Sequence, residues 1–473
     1  MERSVMVQVV VLIPLVVAVA CALPIGSLAR VLAVLSGLLT AGCVAAAVWL
    51  GVGGGPVDLY YWAAPLGAQL AVGWDGWSAA MLLLSGVLFA AGAAASGGIV
   101  RPRAYFALWS LLQTAVAGVF VSRDLLLFFA AHEALLVPLA LLLWGWGGAD
   151  RRAATRRLAV MWLAGSALLL TGILALGVGA HTFSFATLAG YRLAEASQVL
   201  LALLFLSAFA MRLPLFPFHA WVARTYVAAP APVAIVLGGV LSKTAVYAIA
   251  RICLPLFPRG MADLEPYLLA LATVGALYGA ILATRQRDTR RVIVYAGLAE
   301  IDLIAVGVFL ATPGGLEGAL IASISHGLVV AILVLLGAAL ARRIGSFGFG
   351  PGGLGARAPV LMALFVLAIL GLIGVPGTSG APGQLSILAA AFAVSPGIGL
   401  IASLVPVVIA VSGAGVLRAV FFGPPAVGGL DLGWRERGLV VALIALAVVI
   451  GVVPRSVGDL AGRTGPALSE LRQ

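Results

Sequence analysis

The sequence predicts an all-α polytopic membrane protein of about fourteen transmembrane helices, and three observations carry that expectation. Of its 473 residues, 63% are hydrophobic and only 10% charged, a balance outside the range of soluble domains. Apolar runs of about 18–30 residues follow one another along the sequence, each long enough to cross a hydrocarbon layer. Nothing in these runs alternates with period two, so no strand is expected anywhere, and helices satisfy their own backbone in lipid.

The predicted spans lie at 5–23, 28–50, 77–97, 104–122, 124–146, 156–180, 196–225, 227–254, 263–284, 290–311, 314–341, 358–394, 396–424 and 436–454. The first has the length of a spanning helix and is read as retained, the Ala-Val-Ala-Cys at 18–21 being only a weak lipoprotein-like match. An even count puts both termini on one side, and the arginines test it. The faces reached after odd-numbered spans hold 18 arginines, including the clusters Arg151, Arg152, Arg156, Arg157 and Arg285, Arg287, Arg290, Arg291. The opposite face holds 8, among them Arg123 and Arg251, and Arg212 lies inside a span. By the positive-inside rule the richer face is cytoplasmic and both termini point outward.

Two spans are too long and carry breakers midway. The seventh contains Pro214 and Pro217, the twelfth Pro376 and Pro382. Interrupted helices five spans apart suggest two inverted five-helix repeats, helices 4–8 over 104–254 and helices 9–13 over 255–425. They follow N-terminal helices 1–3 (1–103) and precede a last helix with an outer tail (426–473). Discontinuous helices mark ion pathways, because freed backbone groups are tolerated only beside a polar cavity.

The ionisable residues fall in the middle of their spans. Glu133 is in the fifth, Arg212 at the break of the seventh, and Lys243, the one lysine of the protein, in the eighth. Glu300 and Asp302 are central in the tenth and His326 in the eleventh; Gln384 begins the second half of the twelfth. A lysine at bilayer depth costs roughly 2.5–3.5 kcal/mol by insertion scales and loses its proton readily when desolvated, so it is a functional-site candidate. Acids and bases at one depth suit a lateral proton relay. The bland alternatives are a structural Glu133–Arg212 ion pair, a helix-contact role for His326, and a packing role for Glu300 or Asp302. Those last two lie about 200° apart on a helix and cannot share a face. His132 is read as structural, His181 as solvated in an outer loop, and His219 as either a cap on the break or a gate.

Other chemistries are not indicated. The net charge of +11 is dispersed over loops, not gathered into a nucleic-acid-binding stripe. Cys21, Cys43 and Cys253 lie far apart, with no Cys-x-x-Cys. The run Gly53–Gly55 lacks a preceding strand and a following Lys-Ser/Thr, and there is no nucleophile elbow or metal motif. Any electron transfer belongs to other subunits.

Four segments carry a family resemblance: Asp124–Pro138 with its His-Glu pair, Leu213–Trp221 (Leu-Pro-Leu-Phe-Pro-Phe-His-Ala-Trp), Leu241–Tyr247 (Leu-Ser-Lys-Thr-Ala-Val-Tyr) and Asp288–Leu298. Over about 75–425 the sequence resembles the antiporter-like proton-channel subunits of respiratory complex I, nearest to subunit M and its photosynthetic counterpart, which are related to multisubunit cation/proton antiporters. The resemblance implies fourteen helices, outward termini, and proton movement through two half-channels linked by a midplane relay. It implies relay roles for Glu133 and Lys243, an outer-side role for Asp124, and a bridging role for His326. It further implies partner membrane subunits, flavin, iron–sulfur clusters and quinone on other subunits with no cofactor, metal or catalytic centre on this one, lipid contacts, and the bacterial cytoplasmic membrane. Three positions depart from the pattern. Arg212 stands where the family has a lysine, Gln384 where it has a glutamate or lysine, and Glu300 where it has a histidine. A guanidinium keeps its proton and an amide does not titrate, so Arg212, His219, Asp124 and Gln384 are expected as fixed charges or gates, with Glu133, Lys243, His326, Glu300 and Asp302 as the relay. The alternatives are a degenerate structural paralogue, or a subunit of a cation/proton antiporter, membrane hydrogenase or carbon-uptake complex.

Overall fold

A computed structural model describes residues 2–24, 26–51, 57–63, 65, 67–349, 352–424 and 431–462. The Gly53–Gly55 run and the tail beyond 462 lie outside the described residues. The protein is a multi-pass helical membrane protein. Among the described residues, eleven helices are long and apolar enough to cross a membrane. Shorter apolar helices lie at Met6–Ala22, Pro359–Leu372 and Gly380–Val394.

Both expected breaks are present. The seventh run is helical over Glu195–Arg212, opens at 213–217 around Pro214 and Pro217, and resumes as Phe218–Trp221 and Val222–Ala228. The twelfth runs Pro359–Leu372, opens at 373–379 around Pro376, and resumes as Gly380–Val394. Pro382 sits in the first turn of that second half, where a missing N–H leaves no helical bond unmade. The helix bearing Lys243 is irregular without being broken. Between Ala231 and Leu256 it contains π-helical turns at Leu237–Leu241 and Ile249–Cys253, and Ser242–Ala248 is an α-helical stretch between them. Such turns loosen the i→i−4 ladder and recur at functional sites.

One expectation is overturned. Val57–Ala63 and Ala68–Val72 form an antiparallel hairpin, with Val57 opposite Val72 and Ala63 opposite Ala68. The hairpin lies between the second and third apolar runs, so the lipid argument that excludes open strands does not reach it. Its Val-Asp-Leu-Tyr-Tyr-Trp stretch is rich in β-formers. Its far end is extended by Gly73 N–H to Val121 O (2.7 Å) and Arg123 N–H to Ala71 O (2.9 Å).

The molecule divides into two compact units. One comprises Met1–Leu213, Val240–Pro266 and the described residues from Asp459; the other comprises Pro214–Gly239 and Tyr267–Gly458. The same local motif occurs in each, 164 residues apart. In the first unit Leu125 N–H donates to Phe183 O (2.8 Å) and Phe185 N–H to Arg123 O (3.0 Å), around helix-capping Asp124. In the second, Thr289 N–H donates to Phe347 O (2.8 Å) and Phe349 N–H to Arg287 O (3.1 Å), around helix-capping Asp288.

Glycines set the closest helix contacts, as expected where apolar burial gives little drive to associate. In the second unit, Gly318 of Pro313–Ile344 faces Gly383 of Gly380–Val394. A Cβ on Gly383 would stand 2.5 Å from Ala322 N, and one on Gly318 2.9 Å from Ile387 N. Gly383→Leu should therefore separate these helices and lower the melting temperature of the purified protein; an unchanged melt would show that the close approach is dispensable.

Candidate functional site

Within the first unit, Glu133 and Arg212 meet. Arg212 Nη2 donates to Glu133 Oε1 (2.5 Å) and to Ser166 Oγ (3.0 Å), and Nη1 donates to the His132 carbonyl (2.8 Å). Ser166 Oγ donates to Glu133 Oε2 (2.6 Å), and the guanidinium lies over the Trp162 ring, 4.6 Å from its centroid. Arg212 is 2% exposed and Glu133 24%. A guanidinium engaged on its edge by a carboxylate, a hydroxyl and a carbonyl, and on its face by an indole, is a fixed positive anchor. Ser166 bridges acid and base from one helix further on, and no sequence signal marks it. His132 takes the structural place expected of it. It is buried, its ring stacked on Phe128 at 5.2 Å with Phe209 edge-on at 5.9 Å.

Lys243, in the same unit, is 0% exposed, and its Nζ donates to Ser242 Oγ at 3.3 Å. It sits between the two π turns.

Within the second unit, Glu300 and Gln384 come together. Gln384 Nε2 donates to Glu300 Oε1 and to the Leu372 carbonyl (2.9 Å), a group freed where the Pro359–Leu372 helix ends. Gly374, at φ +69°, makes room for this amide, since a Cβ there would collide with it. Both residues are buried. His326 Nε2 lies 2.9 Å from Gly297 O. A carbonyl only accepts, so Nε2 carries the hydrogen. Asp302, two residues past Glu300, is buried on the other face of the helix. His219 stacks on Phe216 at 5.6 Å, in the turn after the first break.

Asp124 proves to be a helix cap. It accepts backbone N–H groups from Leu126 (2.9 Å), Leu127 (3.1 Å) and, from the hairpin, Gln69 (3.0 Å). Burial raises its pKa, against these three hydrogen bonds.

Sequence reasoning missed a second charged cluster in the first unit. Asp75 caps the Gly76–Ala95 helix through Ser78 N–H (2.8 Å) and pairs with Arg251 (2.5 Å) and Arg123 (3.7 Å). Arg123 also donates to Tyr247 Oη (2.9 Å), and Ser78 Oγ lies 3.0 Å from that hydroxyl. Arg123 and Arg251 thus converge on one carboxylate. The available signal was the Asp-x-x-Ser capping pattern at 75–78 opening an apolar run. Tyr247 and Arg251 follow Lys243 at four and eight residues along its helix.

These features define a class, that of polytopic membrane proteins carrying buried ionisable groups beside broken helices. The chain belongs to the NADH:quinone oxidoreductase/Mrp antiporter transmembrane family, whose model matches residues 122–410. NADH-quinone oxidoreductase subunit M of Pseudomonas aeruginosa is 32% identical over 437 residues, covering 87% of this chain and 86% of that protein. A subunit of respiratory complex I from Thermus thermophilus superposes with a TM-score of 0.89 at 31% identity, over 99% of this chain and 100% of that one. A subunit of the Mrp complex from Dietzia sp. shares the fold, with a TM-score of 0.88 at 22% identity, over 99% of this chain and 98% of that one.

Two outcomes are expected. Lysine cannot reproduce the guanidinium's three hydrogen bonds and ring stack, so Arg212→Lys should cost about 1–3 kcal/mol, and Arg212→Ala, which strands Glu133, about 3–5 kcal/mol. Melts of the purified variants check this, and an Arg212→Lys protein as stable as the wild type would contradict it. The second concerns Asp75. Burial pushes its carboxyl up, but Arg251, Arg123 and the Ser78 N–H outweigh burial and hold it at about 2, below its ordinary 3.8. Its pairing therefore stabilises the fold fully above pH 3.8 and is lost as pH falls through 2, an effect of about 2 kcal/mol. The stability gap between wild type and Asp75→Asn should accordingly shrink over that window; a pH-independent gap would contradict the assignment.

Proposed function

We propose that this protein is a proton-translocating membrane subunit of a complex I-like NADH-quinone oxidoreductase, and that it moves protons between two half-channels through its buried ionisable residues. The observation that carries the reading is Lys243, the one lysine of the sequence, completely buried in an irregular helix of a protein from this family. Arg212 and Gln384 cannot pass protons. Arg212 instead pairs with Glu133, and Gln384 holds Glu300 against the second break. The carrying groups are then Glu133, Lys243, His326, Glu300 and Asp302, each able to gain and lose one proton. The carboxyl that a helix-twelve acid would supply is delivered to the same break from the 289–309 helix, which favours conduction over a purely structural paralogue. Subunits of a cation/proton antiporter share this fold, and the relatives that are NADH-quinone oxidoreductase subunits favour the respiratory assignment.

On this reading the catalytic redox chemistry, with flavin, iron–sulfur clusters and quinone, belongs to partner subunits, and this subunit contributes no redox centre. Its partners are other membrane subunits, including neighbouring antiporter-like ones, together with lipid. It lies in the bacterial cytoplasmic membrane with both termini on the outer side, where the poorer arginine count places them.

The test is proton pumping by the assembled complex reconstituted in vesicles, with Lys243→Ala. The reading predicts that the protons moved per electron transferred fall by this subunit's share, the neighbouring antiporter-like subunits keeping theirs. Pumping at the wild-type yield would remove this subunit from the proton path.

A further inference from the structure

The Thr289–Phe309 helix carries two buried carboxyls, and they face different places. Glu300 meets Gln384 at the break over 373–379. Asp302, about 200° away around the helix, faces the segment that follows the other break. It is 1% exposed, neither of its oxygens has a side-chain hydrogen-bond partner among the described residues, and the backbone N–H of Phe216 is turned toward it. The opposite wall is Gly275 of the Pro258–Thr284 helix. A side chain there would collide with Asp302 Oδ2 and stand 2.9 Å from Phe216 Cβ, so glycine leaves space for the carboxyl.

Phe216 links Asp302 to a second unsatisfied group. The His219 ring packs between Phe216, at 5.6 Å, and Tyr278, at 5.3 Å, and its Nδ1 is buried without a partner among the described residues. Tyr278 is one turn beyond Gly275 and also packs on Phe216, at 5.4 Å. His219 is part-exposed and Tyr278 exposed, whereas Asp302 is buried. No described arginine or lysine forms an ion pair with Asp302. An uncompensated carboxylate in such a place is costly, and binding a proton removes the cost.

We infer that Asp302 is a proton-loading group for the Pro214–Trp221 segment, separate from Glu300, so that one helix supplies a carboxyl to each broken segment. This rests on the proton-translocating reading above and adds a second station to it. In the loaded state Asp302 is a neutral acid. On discharge its O–H bond breaks and the proton bonds to His219 Nδ1, leaving a carboxylate and an imidazolium whose charges cancel. The part-exposed imidazole then passes the proton on and returns to neutral. Gly275 keeps the carboxyl free to take either state.

The experiment compares Asp302→Asn, Asp302→Glu and Lys243→Ala in the assembled complex in vesicles, measuring protons moved per electron transferred. Asp302→Asn should lower that yield as far as Lys243→Ala does, and Asp302→Glu, which keeps a carboxyl, should retain most of it; a packing role would favour the isosteric asparagine instead. If Lys243→Ala lowers the yield while Asp302→Asn pumps at the wild-type yield, the second station is refuted and the function stands. If Lys243→Ala pumps normally, the function itself falls. Should Asp302→Asn fail to assemble, the wild-type complex is treated with a hydrophobic carbodiimide, which adds to protonated carboxyls. An adduct mapped to Asp302 by mass spectrometry is expected at neutral pH, and an unmodified Asp302 beside modified carboxyls elsewhere would overturn the inference.

Discussion

Hydrocarbon does not solvate charge, and the placement of ionisable side chains in this protein follows from that constraint. Arg212 is tolerated because its edge and its face are both occupied, by Glu133, Ser166, the His132 carbonyl and Trp162. Arg123 and Arg251 are tolerated because Asp75 takes both. These groups are fully engaged and serve to hold structure in place. Asp302 presents oxygens without a side-chain partner, and His219 a nitrogen without a partner, among the described residues. On the proposed path Asp302 and His219 change state alongside Glu133, Lys243, Glu300 and His326.

The broken helices serve the same end. Ending a helix inside the membrane frees carbonyls and amides that need new partners. At the second break the Leu372 carbonyl takes the Gln384 amide, which in turn orients Glu300. At the first, the Phe216 amide turns to Asp302. Freed backbone thus positions both carboxyls, and a single regular helix reaches both breaks because two residues along an α-helix turn through more than half a circle.

Much of this was legible in the sequence. Hydropathy placed the helices, paired prolines placed the breaks, and the 200° argument foretold that Glu300 and Asp302 would part company. Partner choice was less so. The Glu133–Arg212 pair could be named because two opposite charges inside apolar runs need each other, but Ser166 carries no mark that separates it from any other small polar residue on a helix. The hairpin at 57–72 was missed because the search for apolar runs passes over connections, although Tyr60, Tyr61 and Trp62 favour a strand. Asp75 was missed for a related reason: it lies just outside an apolar run, and its arginines come from runs far away in sequence.

Central to the account is that Lys243 belongs to a hydrated proton path. A map of the assembled complex at a resolution that shows ordered water tests this most directly. The account predicts water within hydrogen-bonding distance of Lys243 Nζ, continuing toward other titratable groups. A dry Nζ turned to acyl tails, with no polar neighbour beyond Ser242, would contradict it.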